Sequence, residues 1–316
     1  MANRIQFGWR VPDFPEEIGG RVTDDRSFRE QIFHFMDTIH GGLDSTWVGD
    51  HFFPWPGEME QTRSTIEAWT TLTYLLARYE KMQMGTIVLS QSYRPPAALA
   101  KMAAVLQWLS EGRLILGIGA GWKENEYRAY GYDFPRDGVR LSQLEEAVQI
   151  IRKMWTEDSP TFEGEYYQID GAYCFPRPEP PPPLLIGGSG PRRTLRIVAQ
   201  YADLCNMNNA DLEFCRSRLQ TLREHCEAVG RNYDEIIKTY SSDCVAVAPT
   251  TEEAVRMQRA SFFGKYGPIV GSPDEVSARI QALVDLGFTH FIFRFPDFPE
   301  TGSVELFMKE VMPRFR

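Results

Sequence analysis

Short β-like segments and helix-like segments alternate along this chain from end to end, and that alternation restricts its fold more than any other feature. Read by periodicity, strands fall at Ile5–Trp9, Thr46–Gly49, Met82–Leu89, Leu114–Gly119, Leu184–Ile186, Leu204–Met207, Lys238–Ala248 and Thr289–Phe295. Helix-like stretches cover Ser27–His40, Thr65–Tyr79, Pro95–Ser110, Leu141–Trp155, Pro191–Tyr201, Leu212–Val229, Pro273–Leu286 and Ser303–Phe315. Punctuation supports the parse: Gly230 closes one helix, and Ser272-Pro273-Asp274-Glu275 opens another with a cap, an N1 proline and first-turn acids. Eight βα units in 316 residues are the arithmetic of an α/β fold of the (β/α)8 TIM barrel type. The expectation is one barrel domain over residues 1–316, with insertions near 52–64 and 156–183. The second insertion holds a hairpin at Thr161–Ile169 and a stiff, proline-rich connector at Pro176–Pro183. A doubly wound sheet is the rival architecture, because Gly117, Gly119 and Gly121 follow a strand. Trp122 stands where the third glycine of a dinucleotide fingerprint belongs, and three βα units precede the motif.

Composition narrows the function. A chain that is 43% hydrophobic and 13% aromatic can bury a large core, while 34 basic against 43 acidic residues leave a net charge of −9. No global positive field exists to hold nucleic acid or an anionic bilayer. No stretch approaches the roughly 18 apolar residues of a membrane span, and the N-terminus lacks an apolar export signal. Five cysteines without a C-x-x-C, and five histidines without H-x-x-x-H spacing, favour reduced thiols in a cytoplasmic protein and no metal centre.

In a barrel, reactive groups collect just past the C-terminal ends of the strands. After the second strand come Asp50, His51, two phenylalanines, a proline and Trp55. An imidazole can donate or accept a proton near neutral pH, Trp55 can wall a planar ligand, and Asp50 either orients His51 or faces the barrel wall. After the third strand, Ser90 is a hydroxyl suited to a ligand hydrogen bond. After the fourth, three glycines in five residues allow close backbone approach, and Asn125 and Glu126 follow. Glu126 is either a functional acid or a first-turn partner of a helix dipole. Gly187-Gly188-Ser189-Gly190 then leads into a helix with Arg192 and Arg193 near its start, an anion site by construction that lacks the Lys-Ser/Thr ending of a Walker loop.

Taken together, S-T-W-V-G-D-H-F at Ser45–Phe52, G-T-I-V-L-S at Gly85–Ser90, G-R-L-I-L-G-I-G-A-G-W-K-E-N-E at Gly112–Glu126, F-E-G-E-Y-Y at Phe162–Tyr167 and P-P-P-L-L-I-G-G-S-G at Pro181–Gly190 resemble the luciferase-like oxidoreductases, which share a (β/α)8 barrel. Asp50-His51-Phe52 with Trp55 is similar to the branch that uses the deazaflavin coenzyme F420. The resemblance implies His51 as acid/base, Trp55 as pocket wall, and Ile87–Val88 as a non-proline cis peptide behind the ring. It implies Ser90 and Asn125 as cofactor contacts, Gly187, Gly188, Ser189 and Gly190 as the phosphate loop, and a homodimer. Sugar-phosphate-oxidising members carry a glutamate where this chain has Trp122, so the expected substrate is a small, flat or apolar organic molecule. The expected reaction is hydride transfer with F420. An FMN-dependent monooxygenase using oxygen is the first alternative, and a flavin- or deazaflavin-binding protein without turnover is the second.

Overall fold

Parallel strands joined by crossovers bring a helix back against the sheet at every step, and with enough repeats the sheet meets its own edge. The computed structural model describes residues 4–15, 25–54 and 64–316. Its barrel strands are β1 (Gln6–Arg10), β2 (Ser45–Val48), β3 (Gln83–Thr86), β4 (Leu114–Gly119), β5 (Leu184–Gly187), β6 (Leu204–Asn208), β7 (Ile237–Ser242) and β8 (Phe288–Phe293). They pair in parallel in chain order, and β8 returns to β1 with Gln6 opposite His290, so the barrel closes. Around it lie α1 (Asp25–Ile39), α2 (Ala68–Arg78), α3 (Pro96–Leu109), α4 (Asp137–Thr156), α5 (Thr194–Tyr201), α6 (Leu212–Val229), α7 (Pro273–Val284) and α8 (Gly302–Leu306). Among the described residues no helix is long and apolar enough to cross a membrane.

Two expected strands end early. The segment read as Met82–Leu89 breaks at Ile87–Val88, which is a cis peptide, and Leu89–Ser90 then pairs with β4 alone. The segment read as Lys238–Ala248 leaves the barrel after Ser242. The Asp243 amide is taken by the Asn209 side chain (2.9 Å) instead of a ladder carbonyl, and Val245–Val247 pairs with Ile269–Gly271 in a separate two-stranded sheet. The final helix continues from α8 as a π turn over Phe307–Val311. The hairpin in the second insertion forms between Phe162–Glu163 and Gln168–Ile169. At the start of α7, Ser272 and Glu275 close a reciprocal capping box.

The core has two layers because successive strand residues face opposite sides of the sheet. Outward-facing residues such as Phe291 and Phe293 pack with Phe7 and Phe307 beneath the helices. Inward-facing Trp47, Ile115, Leu185, Leu204 and Ile292 fill the barrel itself. His290 lies among them, 2.8 Å from the Ser45 hydroxyl, and burial pushes its imidazole down to about 4, which keeps it neutral. The Trp47 indole fits because Gly8 and Gly85 carry no side chain: a Cβ on Gly85 would stand 2.5 Å from the indole ring, and one on Gly8 2.9 Å from its nitrogen.

Gly85→Ala is therefore an overpacking substitution that the large, fixed ring cannot relieve. It is expected to cost about 1–3 kcal/mol, measured as a lower midpoint in urea with an unchanged slope; a midpoint equal to the parent's would mean that the barrel interior is not filled in this way.

Candidate active site

Inward-facing residues at the C-terminal ends of the strands cannot be apolar throughout without closing the barrel mouth, and here they turn polar: Arg10 on β1, Asn206 and Asn208 on β6, Ser241 on β7. Above them a cavity of about 510 Å³ is lined by these residues and by the loops that follow β2, β4 and β5. His51, Glu126, Val88 and Gly188 all face this one cavity.

Glu126 lies in the short helix Glu124–Ala129 after β4, which begins one turn past the glycines. It is buried, and its carboxylate collects donors from three loops. Nδ1 of His51 lies 3.1 and 3.2 Å from its two oxygens, the Phe52 amide donates at 3.0 Å, the Tyr93 hydroxyl at 3.2 Å, and Nζ of Lys123 stands 3.4 Å away. Burial works against its ionisation, but the His51 hydrogen bond, the charges of His51 and Lys123 and the Phe52 amide more than offset it. The carboxyl therefore sits below its usual value. An ionised carboxylate only accepts, so the His51 proton in this bond resides on Nδ1. Burial and Glu126 together push the Tyr93 hydroxyl far above the usual phenol range, which keeps it a donor.

Asp50 does not orient His51. Its carboxylate is held by both terminal nitrogens of Arg94 at 3.1 Å and accepts the Ser90 amide at 2.9 Å, so it clamps the strand-2 loop to the strand-3 loop. The Ser90 hydroxyl is engaged in turn by the Tyr127 hydroxyl. The ring of Trp122 meets the His51 ring edge-on at 5.8 Å and is 61% exposed, so it forms a projecting wall of the cavity.

The cavity floor is built from Ile87 and Val88, Gly119 and Gly187. A Cβ on Gly187 would meet the Val88 methyls at 2.7 and 2.9 Å, and one on Gly119 at 2.9 Å, so backbone lies directly against the cis-peptide segment. Gly188 adopts φ +101°, a conformation that a side chain disfavours, as the chain turns toward the N-terminus of α5. Thr194, the first residue of α5, also faces the cavity.

Of the residues singled out from sequence, His51, Asp50, Glu126, Ile87, Val88, Ser90, Gly187 and Gly188 line this cavity. Asn125 is exposed and its side-chain oxygen accepts the neighbouring Glu126 amide at 3.1 Å. Ser189, Gly190 and Arg192 lie along the turn beyond the lining, with Arg192 exposed, whereas Arg193 is tied to Gly138 and Ser142 of α4. Trp55 lies outside the described residues. Sequence reading passed over Tyr93 and Arg94, whose partners are distant in the chain, and Lys123, which joins nearby Glu126 to the distant Phe53 and Pro54 carbonyls. It also passed over a buried cluster in which Arg10 and Arg294 share Asp13 (3.2 and 3.0 Å) and Arg10 holds Asp243 (3.2 Å). Asp13 and Arg294 stand just past β1 and β8, so the strand-end rule itself pointed to them.

The chain is similar to known proteins over most of its length. A family model described as luciferase-like monooxygenase matches residues 15–268. A curated relative from Kineococcus radiotolerans, named F420-dependent glucose-6-phosphate dehydrogenase, is 32% identical over 96% of this chain and 98% of its own length. One of the same name from Amycolatopsis mediterranei is 29% identical over 91% and 95%. Among solved structures, an F420-dependent secondary alcohol dehydrogenase in complex with an F420-acetone adduct superposes with a TM-score of 0.81 at 21% identity, covering 99% of both chains. The coenzyme F420 dependent tetrahydromethanopterin reductase from Methanopyrus kandleri does so with a TM-score of 0.76 at 19% identity, covering 99% of this chain and all of the other. At such identities these superpositions speak for the shared barrel.

The Glu126 geometry has a consequence for pH. A carboxyl held below its usual value stabilises the fold fully above about pH 4.5 and loses that contribution as the pH falls through its lowered value. Thermal unfolding from pH 7 down to pH 3 should show a steeper acid decline for the parent than for Glu126→Gln, and parallel curves would contradict the assignment.

Proposed function

The chain belongs to the luciferase-like monooxygenase family, and from that premise we propose that it is a coenzyme F420-dependent oxidoreductase that exchanges hydride with a small, uncharged organic substrate. The observation that carries the reading is the convergence of the Glu126–His51 pair and of Gly187 and Gly188, the start of the glycine turn, on one cavity. The residues present fit the cofactor. N–H groups in the first turn of a helix have no intrahelical acceptors, so the start of α5 behind the glycine turn, with Arg192 exposed beside it, suits an anionic tail. The Ile87–Val88 floor, free of side chains on its Gly119 and Gly187 flanks, suits the flat ring. When bound, a deazaflavin supplies a two-electron hydride carrier.

The protein's share of the chemistry is positioning and proton transfer. Glu126 fixes the ring orientation and tautomer of His51, Nε2 of His51 donates or takes the substrate proton, and Trp122 walls the space beside it. Ser90 and Asp50 hold the loop under the ring, and Asn125, Ser189 and Gly190 line the approach of the cofactor.

Charge accounting narrows the substrate. Among the described residues the lysine and arginine side chains that line the cavity are Arg10 and Lys123, and each is already matched, Arg10 by Asp13 and Asp243 and Lys123 by Glu126. Among the described residues lining the cavity, none is left over for a substrate phosphate, and a projecting indole favours a flat or apolar partner. The reading carries with it a cytoplasmic homodimer of one domain per chain, whose assembly light scattering checks.

Titration with F420 and with FMN, followed by anaerobic and aerobic turnover, tests the cofactor. F420 binding with oxygen-independent turnover is expected, and FMN retention with oxygen consumption would sink the proposal. His51→Ala should lower kcat about 10²- to 10⁴-fold with cofactor affinity near that of the parent. With oxidised F420, a neutral secondary alcohol should be turned over in preference to glucose 6-phosphate, and the reverse order would refute the uncharged substrate.

A further inference from the structure

Among the described residues Lys123 is the one lysine in the cavity wall, and nothing above gives it a task of its own. It is 5% exposed, and its ammonium group has three protons to donate. Three oxygens stand within reach: the Pro54 carbonyl at 2.9 Å, the Phe53 carbonyl at 3.2 Å and Oε1 of Glu126 at 3.4 Å. The ammonium also lies 4.8 Å from the centre of the Phe53 ring. With every proton engaged by protein, Lys123 is committed to the wall and not to a ligand.

We propose that Lys123 is a positioning residue for proton transfer, which pins the Phe52–Pro54 loop against the short helix after β4 and acts through Glu126 on the protonation of His51. This deepens the reading of His51 as the acid/base and rests on it. The mechanical part follows from connectivity: the two carbonyls that Lys123 holds belong to the stretch directly after His51, whose Phe52 amide also reaches Glu126. The electrostatic part follows from charge. Tyr93 faces Glu126 as a neutral donor, and Asp13 lies within electrostatic reach of His51 with its charge shared by Arg10 and Arg294. Asp50 is matched by Arg94. Lys123 is thus the cation that balances Glu126 opposite the imidazole. Without it, the full carboxylate charge would favour the imidazolium, and His51 would hold its proton to higher pH. A buried lysine is a costly counter-charge, since burial pushes its own proton affinity down against the pull of Glu126.

Histidine-selective NMR titration of the cofactor-free protein reads this without turnover, with the His51 signal assigned by its absence from His51→Ala. In Lys123→Met the His51 midpoint should rise by roughly half a unit to one unit, and Lys123→Arg should restore it. Lys123→Gln keeps a donor for the two carbonyls while removing the charge, so it should show the same rise if Lys123→Met folds poorly. An unshifted midpoint in a folded, uncharged variant overturns the proposal. Because this readout uses neither F420 nor substrate, failure here is separable from failure of the proposed reaction, which the His51→Ala kinetics test.

Discussion

A single buried carboxylate organises the mouth of this barrel. Glu126 could not remain charged in that position unless it were surrounded by donors, and the donors it has come from the loops after β2, β3 and β4. Satisfying one group therefore fixes the relative placement of three loops that the barrel alone would leave to vary. Removing the carboxylate would take from His51 the partner of its Nδ1 and from Lys123 its nearest counter-charge, which is why these residues form one unit and not three independent contributions.

The barrel beneath supplies the rigidity this arrangement requires. Its interior is filled from below by Trp47 and the aliphatic residues around it, with Gly8 and Gly85 giving the indole its space. Toward the C-terminal ends the inward positions become polar, and a hydrogen-bonded series from Thr239 through Asn206 and Ser241 to Asn208 crosses from β7 to β6. The transition from packed apolar interior to satisfied polar rim is what makes a cavity at one end of a barrel that is otherwise closed. Around that cavity the charges occur in matched sets, Arg94 with Asp50, Arg10 and Arg294 with Asp13 and Asp243, Lys123 with Glu126.

Much of the site was legible before any coordinates. The strand-end rule led to His51, Ser90, Glu126 and the glycine turn at 187–190, because a βα repeat dictates where a strand stops and which residues follow it. The same rule left the role of Asp50 open, between orienting His51 and facing the wall. The structure resolves this through Arg94, 44 residues away in sequence, a pairing that no local pattern encodes. Tyr93 was missed for the same reason, since it meets Glu126 from 33 residues away, and Lys123, although only three residues before Glu126, owes its place to the Phe53 and Pro54 carbonyls of the loop after β2. Leu89–Ser90 and Val245–Val247 were read as continuations of barrel strands because their apolar character is continuous with β3 and β7. What interrupts each run is tertiary: a cis peptide at Ile87–Val88 in one, and the capture of the Asp243 amide by Asn209 in the other.

The sequence by itself determined the number and order of the βα units, hence a parallel barrel with its chemistry at one end, because hydrophobic periodicity and cap residues act over a few neighbouring positions and can be read locally. It also determined that a glycine-rich turn precedes a helix start. Only the tertiary structure decided which carboxylate faces His51, which cations are already matched, and how far the indole of Trp122 projects. Those outcomes depend on which loops from separate strands come within a few ångströms of each other, and distance in space between residues tens of positions apart is set by the closed barrel and not by any stretch of chain within it.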